Sequence, residues 1–130
     1  MNAVTDLSFT TPGLYTHLAQ MKPEDLDQLD FGVIGFDDAT HVCRYNRFES
    51  EAAGLTALRV LGQPLFTNVA PCLNNFMVAQ RFEDAHDDAA ALDDTIDYVL
   101  TLRMRPIKVK LRLLAAPDSA VRYVLVQRKP

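Results

Sequence analysis

The sequence predicts an α+β fold with an antiparallel sheet, and two observations support that class. Two strand-like segments come first, several short helical segments follow, and three more strand-like segments end the chain. Strands that are grouped together, and do not alternate with helices, favour antiparallel pairing with the helices packed on the sheet. The 130 residues suit one domain, and 48% hydrophobic and 23% charged residues are typical of a folded globular protein.

The N-terminal part is predicted to be a loose arm followed by short helices. The first dozen residues show no periodicity. Leu14, Leu18 and Met21 then have the spacing of one helix face. Pro23 is followed by two acids, which suits the first turn of a second helix because proline and negative charge are both favoured there.

The middle of the chain is predicted to contain a hairpin and then helices. Residues 31–36 and 41–45 have strand character, and Asp-Asp-Ala-Thr between them is typical of a turn. Residues 46–58 have a helical pattern that Gly54 interrupts. A longer helical segment is expected around residues 76–82.

The last forty residues predict three strands. Apolar and polar side chains alternate from residue 96 to 105, which indicates a strand with one apolar face. Basic and apolar residues alternate over residues 108–113, and the final strand is expected over residues 121–127.

Charge is unevenly distributed, and the pattern has two interpretations. Seven acids lie within residues 83–97, whereas residues 101–130 hold eight of the thirteen bases. We interpret this as a solvated acidic loop beside a basic outer sheet face, and a docking surface for a partner stays open as the alternative. The net charge of −4 argues against nucleic-acid binding. No apolar run approaches the ~20 residues of a membrane span and no signal peptide is visible, so a cytoplasmic location is expected.

Cys72 is the most distinctive candidate for chemistry. Common nucleotide-binding, metal-binding and hydrolase motifs are absent from the sequence. Cys72 follows Pro71 at the predicted start of a helical segment, and a helix N-terminus lowers the pKa of a thiol. A small buried hydrophobic residue is the alternative interpretation. Cys43 lies in the middle of a predicted strand and keeps that structural interpretation, and the three histidines are expected at the surface.

Several separated motifs resemble one family in the same order along the chain. They are Leu29-Asp30-Phe31-Gly32-Val33-Ile34, Tyr45-Asn46 followed by Glu49, Val60-Leu61-Gly62 with Phe66, Val69-Ala70-Pro71-Cys72, Asp97-Tyr98, Met104, Pro106, Lys108-Val109-Lys110 and Val124 to Arg128. Together they span roughly residues 14–128 and resemble the photoactive yellow protein family. That family has a single PAS domain that carries 4-hydroxycinnamic acid (p-coumaric acid) as a thioester on the cysteine.

The resemblance implies a role for individual residues. Cys72 would be the covalent attachment site, and Tyr45 and Glu49 would donate hydrogen bonds to the phenolate oxygen of the chromophore. The pocket would also be formed by Tyr98, Met104, Pro71 and Val69. Both donors suit the chemistry, because a buried phenolate needs strong hydrogen bonds.

Three chromophore-binding positions depart from the family pattern. Ala53 stands where the family usually has a threonine, Leu55 where it has an arginine, and Leu100 where it has a phenylalanine. A shift of one or two residues at Gly54 would instead bring Thr56 or Arg59 to the first two positions. The departures bear on colour and cycle rate and leave Cys72 untouched.

The fold that the resemblance implies is a PAS domain with a five-stranded antiparallel sheet, flanking short helices and an N-terminal helical cap. Residues 1–28 would form the cap and residues 29–130 the core. The implied function is blue-light reception: trans–cis isomerisation and proton transfer from Glu49 would drive a signalling photocycle, without enzymatic turnover. Its partners would be the small-molecule chromophore and an unknown downstream signalling protein.

Two other function classes remain as alternatives. A PAS sensor domain that binds a small ligand or a partner noncovalently would not need light, and the three departures favour it slightly. An enzyme with Cys72 as nucleophile is the weaker alternative, because no histidine is placed to act as its base.

Overall fold

The computed structural model describes residues 7–101, 106–118 and 120–128. Its centre is a five-stranded antiparallel sheet with the spatial order β2-β1-β5-β4-β3. The strands are β1 (Gly32–Phe36), β2 (Val42–Tyr45), β3 (Leu92–Leu100), β4 (Ile107–Ala115) and β5 (Arg122–Arg128). The α+β class and the antiparallel sheet expected from the sequence are therefore confirmed.

Short helices connect the strands and precede them. They are α1 (Leu14–Gln20), α2 (Pro23–Leu26), α3 (Arg47–Ala53), α4 (Ala57–Val60) and α5 (Ala79–Asp87). Between α4 and α5 the chain makes a π-helical turn (Leu65–Val69) and a 3₁₀ turn (Pro71–Leu73). Helix α3 ends at Gly54, whose φ of 74° is the left-handed conformation that glycine adopts without strain. None of the helices in the described ranges is long and apolar enough to span a membrane.

Both faces of the sheet are covered, because side chains alternate between the faces along each strand. We call the first the helix face. It packs under α4, α5 and the two turns, with a core that includes Ile34, Leu111, Leu113, Val124, Val126, Val60, Phe66, Leu73 and Phe82. We call the second the cap face. It packs under the N-terminal segment, with a core that includes Val33, Leu114, Tyr123, Leu125, Phe9, Leu14, Leu18, Leu26 and Phe31.

The prediction of a loose N-terminal arm is wrong from Phe9 onward. The Phe9 ring is 2% exposed and meets the Phe31 ring edge-to-face at 6.0 Å. Arg112 on β4 donates from Nη1 to the carbonyls of Phe9 at 3.0 Å and Thr11 at 2.8 Å. The arm is fixed by contacts with residues a hundred positions away, which local periodicity cannot reveal.

The prediction of a solvated acidic loop is also wrong. The acidic segment ends helix α5 and begins strand β3, which starts at Leu92 and not at Ile96. Its carboxylates pair with bases: Asp93 with Arg112, Asp94 with Arg81, and Asp97 with Lys110. The acids and bases that the sequence separates are joined by the sheet, and Arg112 is buried under the arm.

Candidate functional site

Asn46 fixes the junction between strand β2 and helix α3. Its side chain is 1% exposed, and its Oδ1 accepts hydrogen bonds from the backbone N–H of Val33 at 3.0 Å and of Glu49 at 3.1 Å. Its Nδ2 donates to the carbonyls of Leu26 and Phe31, both at 3.0 Å. Helix α3 is therefore anchored at its first turn to β1 and to the segment that carries the cap.

Glu49, one turn into α3, is buried in an ion pair. It is 1% exposed, and its two oxygens accept from Nη1 and Nη2 of Arg128 at 2.8 and 3.0 Å. Gly32 on β1 makes room for it, since a Cβ there would lie 2.0 Å from Glu49 Oε1. The bare backbone of Gly32 thus permits the carboxylate to reach the sheet beside the end of β5.

Tyr45 ends β2 and belongs to the core of the helix face, where it is 8% exposed. Burial raises the pKa of its hydroxyl, and the negative charge of Glu49 raises it further, while Arg128 lowers it. Among the described residues, no group forms a hydrogen bond with this hydroxyl. Tyr45 is therefore a neutral phenol with a proton available for donation.

Cys72 carries a free, half-buried thiol that packs against the core of the helix face. It lies in the three-residue 3₁₀ turn, and α5 begins only at Ala79. The sequence expectation of a helix N-terminus at Cys72 is therefore wrong, and so is the helical prediction for Phe76, whose side chain is exposed. One turn has too few aligned peptide dipoles to supply the effect of a full helix on the thiol.

Tyr98 and Asn75 hold the backbone at Cys72. The Tyr98 hydroxyl donates to the Cys72 carbonyl at 2.5 Å, and Asn75 Nδ2 donates to Tyr98 Oη at 2.5 Å and to that carbonyl at 3.2 Å. Asn75 Oδ1 also accepts from the N–H groups of Met77 and Val78. This network ties the cysteine turn to strand β3 and fixes the direction of the chain at the thiol.

Cys43 has a different environment on strand β2. Partial burial raises the pKa of its thiol, and the neighbouring Asp37 carboxylate raises it further. Both effects lower the thiolate fraction at neutral pH, and the thiolate is the reactive form. Cys43 is thus the less suitable of the two cysteines for covalent chemistry.

The structure brings most of the remaining expected site residues to the same region. Val69 and Leu100 are buried in the core that contains Tyr45, and Leu55 and Tyr98 pack against its edge. Ala53 is buried on the last turn of α3, and Pro71 is exposed. Met104 lies outside the described residues. Tyr45, Val69, Leu100, Leu55, Tyr98 and Cys72 thus share one hydrophobic cluster, and Pro71 lies at its surface.

A surface pocket lies next to the cysteine turn. It has a volume of about 650 Å³ and is lined by Asn75, Met77, Asp97, Tyr98, Val99, Lys108 and Val109. The lining includes Tyr98 but neither Tyr45 nor Glu49, so this pocket borders the cluster from the β3–β4 side. Within the described ranges, no three His, Cys, Asp or Glu side chains are grouped to hold a metal ion.

Sequence reasoning missed Arg128, Gly32 and Asn75 as residues of the site. A signal was present for Arg128, because it has the same parity as Val124 and Val126 on the final strand and therefore faces the same core. No comparable signal identified Gly32 or Asn75, since their contacts depend on how α3 and the cysteine turn pack.

Comparisons with known proteins agree with this geometry. No family model matches the chain. The chain is 31% identical to Photoactive yellow protein from Halochromatium salexigens over 122 residues, which cover 92% of this chain and 95% of that relative.

Solved structures give the same result. The photoactive yellow protein domain of the sensor histidine kinase Ppr from Rhodospirillum centenum superimposes with a TM-score of 0.79 at 32% identity, over 87% of this chain and 98% of that domain. The PAS domain of the quorum-sensing receptor RpfR from Cronobacter turicensis, solved with BDSF, has a TM-score of 0.60 at 15% identity, over 78% of this chain and 95% of that chain, and shows the fold alone.

Proposed function

This chain belongs to the photoactive yellow protein family, and from that premise we propose that it is a blue-light photoreceptor carrying 4-hydroxycinnamic acid as a thioester on Cys72. The observation that carries the proposal is the sharing of one core by a free half-buried thiol and a buried phenol whose hydroxyl has no partner in the described chain. A thiol at one end and a hydrogen-bond donor at the other fit the two ends of this acid.

The residues present fit the proposed group. Cys72 Sγ would attack the carboxyl carbon of the activated acid, so that the C–S bond forms as the activating group leaves. Tyr45 Oη would donate to the phenolic oxygen, and the buried side chains of Val69 and Leu100 would exclude water from the ring. Met104 is proposed from the resemblance to line the same pocket, and its role stays a prediction.

When bound, the chromophore would supply light-driven trans–cis isomerisation of its double bond. The protein would respond through the proton shared with Glu49 Oε. Glu49 N–H is bound by Asn46, and Asn46 also holds the Leu26 and Phe31 carbonyls. A change at the Glu49 carboxyl would therefore reach the cap through one buried side chain, and a downstream signalling protein would detect the altered cap.

Intact-mass spectrometry and absorbance test the proposal. After addition of activated p-coumarate, we expect one covalent adduct in the wild type and in Cys43→Ala, and none in Cys72→Ala. The adduct should absorb blue or near-ultraviolet light, change its spectrum on illumination and recover in the dark.

Two outcomes would contradict the proposal. An adduct on Cys43 would overturn the attachment site. Binding of p-coumarate without any adduct, and with no light response, would instead support the noncovalent PAS sensor.

A further inference from the structure

We propose that Arg128 keeps Glu49 in the carboxylate form, so that Glu49 accepts a hydrogen bond from the phenol of the ligand where a protonated glutamic acid would donate one to a phenolate. This inference rests on the proposed function for the identity of the ligand. It makes Arg128 a positioning residue, which sets the colour of the protein by acting through Glu49.

The first step of the argument is the geometry of the ion pair. The two guanidinium nitrogens meet the two carboxylate oxygens at 2.8 and 3.0 Å, and the side chains are 14% and 2% exposed. A guanidinium stays charged at all ordinary pH values, and its planar fork matches a carboxylate bidentately. Removing the charge of one partner would leave the other buried and uncompensated, which is strongly unfavourable.

The second step is the placement of the proton. A carboxylate accepts hydrogen bonds and has none to donate, but its two oxygens have lone pairs beyond those used by Arg128. The ordinary pKa of a phenol such as tyrosine is about 10, against about 4.3 for glutamic acid. Proton transfer from the phenol to Glu49 would thus oppose both the intrinsic pKa order and the ion pair.

The third step is the position of Arg128 in the sheet. Gly32 on β1 pairs with Val126 on β5, and Arg128 follows two residues later on the same face. The strand pairing therefore directs the guanidinium toward the carboxylate that Gly32 admits. The pair is held by the sheet and does not depend on a mobile loop.

Strand β5 supplies a matched control. Arg122 begins the same strand on the same face, is 7% exposed and pairs with Asp38 at 3.0 Å. It lies at the opposite end of β5, six residues from Arg128. Arg122→Gln therefore removes a buried arginine and an ion pair without touching Glu49.

The first experiment uses the protein without ligand, so that it does not depend on the proposed function. A double-mutant cycle with Glu49→Gln and Arg128→Gln, read by urea unfolding, should show a coupling of at least about tenfold in the folding equilibrium constant. Infrared difference spectra between wild type and Glu49→Gln at neutral pH should show a carboxylate band. A protonated carboxyl band in its place would overturn the inference.

The second experiment uses the protein loaded with p-coumarate at neutral pH. We expect the wild type to hold mainly the phenol form, which absorbs at shorter wavelength than the phenolate. Arg128→Gln should raise the phenolate-to-phenol ratio by about tenfold or more, since it removes the cation that favours the Glu49 carboxylate. Arg128→Lys, which keeps the charge, should stay close to the wild type, as should Arg122→Gln.

The outcomes separate the inference from the proposed function. A covalent adduct on Cys72 whose phenolate-to-phenol ratio is unchanged by Arg128→Gln would overturn the inference alone. Absence of any adduct would overturn the proposed function, and the inference about the ligand with it.

Discussion

The cap face and the helix face each contain a buried arginine, and the two arginines differ in their partners. Arg112, under the cap, bonds through all three side-chain nitrogens to the Phe9 and Thr11 carbonyls and to Asp93, whose side chain is half exposed. Arg128, on the helix face, pairs with a carboxylate that is 2% exposed, and its Nε is buried without a partner in the described chain.

The difference separates a structural arginine from one at a site. A fully bonded guanidinium whose acid reaches solvent joins two segments at little electrostatic cost. A pair with both charges buried and one donor unsatisfied is a poor way to stabilise a fold, because desolvation offsets most of the attraction. Buried charge that stability does not explain is typical of functional sites. Asn46 bonds to segments on both sides of this division.

The largest effect is expected where the two faces are joined. Asn46→Ala would leave two backbone N–H groups and two carbonyls without their partner, and each unsatisfied buried group costs about 1–3 kcal/mol. With partial relaxation, we expect a loss of about 4 kcal/mol in the free energy of unfolding, measured by urea titration. Asn68→Ala is the control, because Asn68 is exposed, and it should change stability by less than about 0.5 kcal/mol.

A smaller effect is expected from a change confined to the cap face. Arg112→Met would keep most of the side-chain volume but remove the bonds to the Phe9 and Thr11 carbonyls, at a cost of about 2 kcal/mol. Hydrogen exchange should rise in residues 8–18, while coupling of p-coumarate to Cys72 continues. Lys110→Met removes the exposed pair with Asp97 on the same strand and should cost less than about 1 kcal/mol. Equal effects of both variants would remove the distinction drawn for Arg112.

The smallest effect on stability should come from two glycines on opposite faces of β1. An alanine Cβ at Gly32 would press on Glu49 Oε1, whereas one at Gly35 would lie 3.0 Å from Arg44 Cβ and 3.1 Å from Tyr123 Cε1. Overpacking of this kind typically costs about 1–3 kcal/mol, and we expect about 1–2 kcal/mol for each variant. In protein loaded with p-coumarate, Gly32→Ala alone should alter the absorption spectrum. A spectral shift from Gly35→Ala of the same size would show that the two faces are not independent.

Much of the fold was predictable because its signals are local. Strand parity identified which side chains of β4 and β5 are apolar, and the spacing of Leu14, Leu18 and Met21 identified the first helix. The ordered motifs around Cys72 predicted the family, which the comparisons confirm. The roles of Tyr45, Glu49 and Cys72 came with the family and stay proposals.

Other features depended on contacts between distant residues. Phe9 and Thr11 were interpreted as a loose arm because nothing near them in sequence covers them, and Arg112 does so from β4. The acidic segment was interpreted as solvated because its bases lie on other elements of the fold.

The sequence by itself therefore determined the fold class, the family and the presence of a thiol, a phenol and a carboxyl at motif positions. Only the tertiary structure decided that Glu49 meets Arg128, 79 residues away. The reason is that parity states which face a side chain occupies, whereas its neighbour on that face depends on the register between β1 and β5. In this chain that register places a glycine beneath the carboxylate and an arginine beside it.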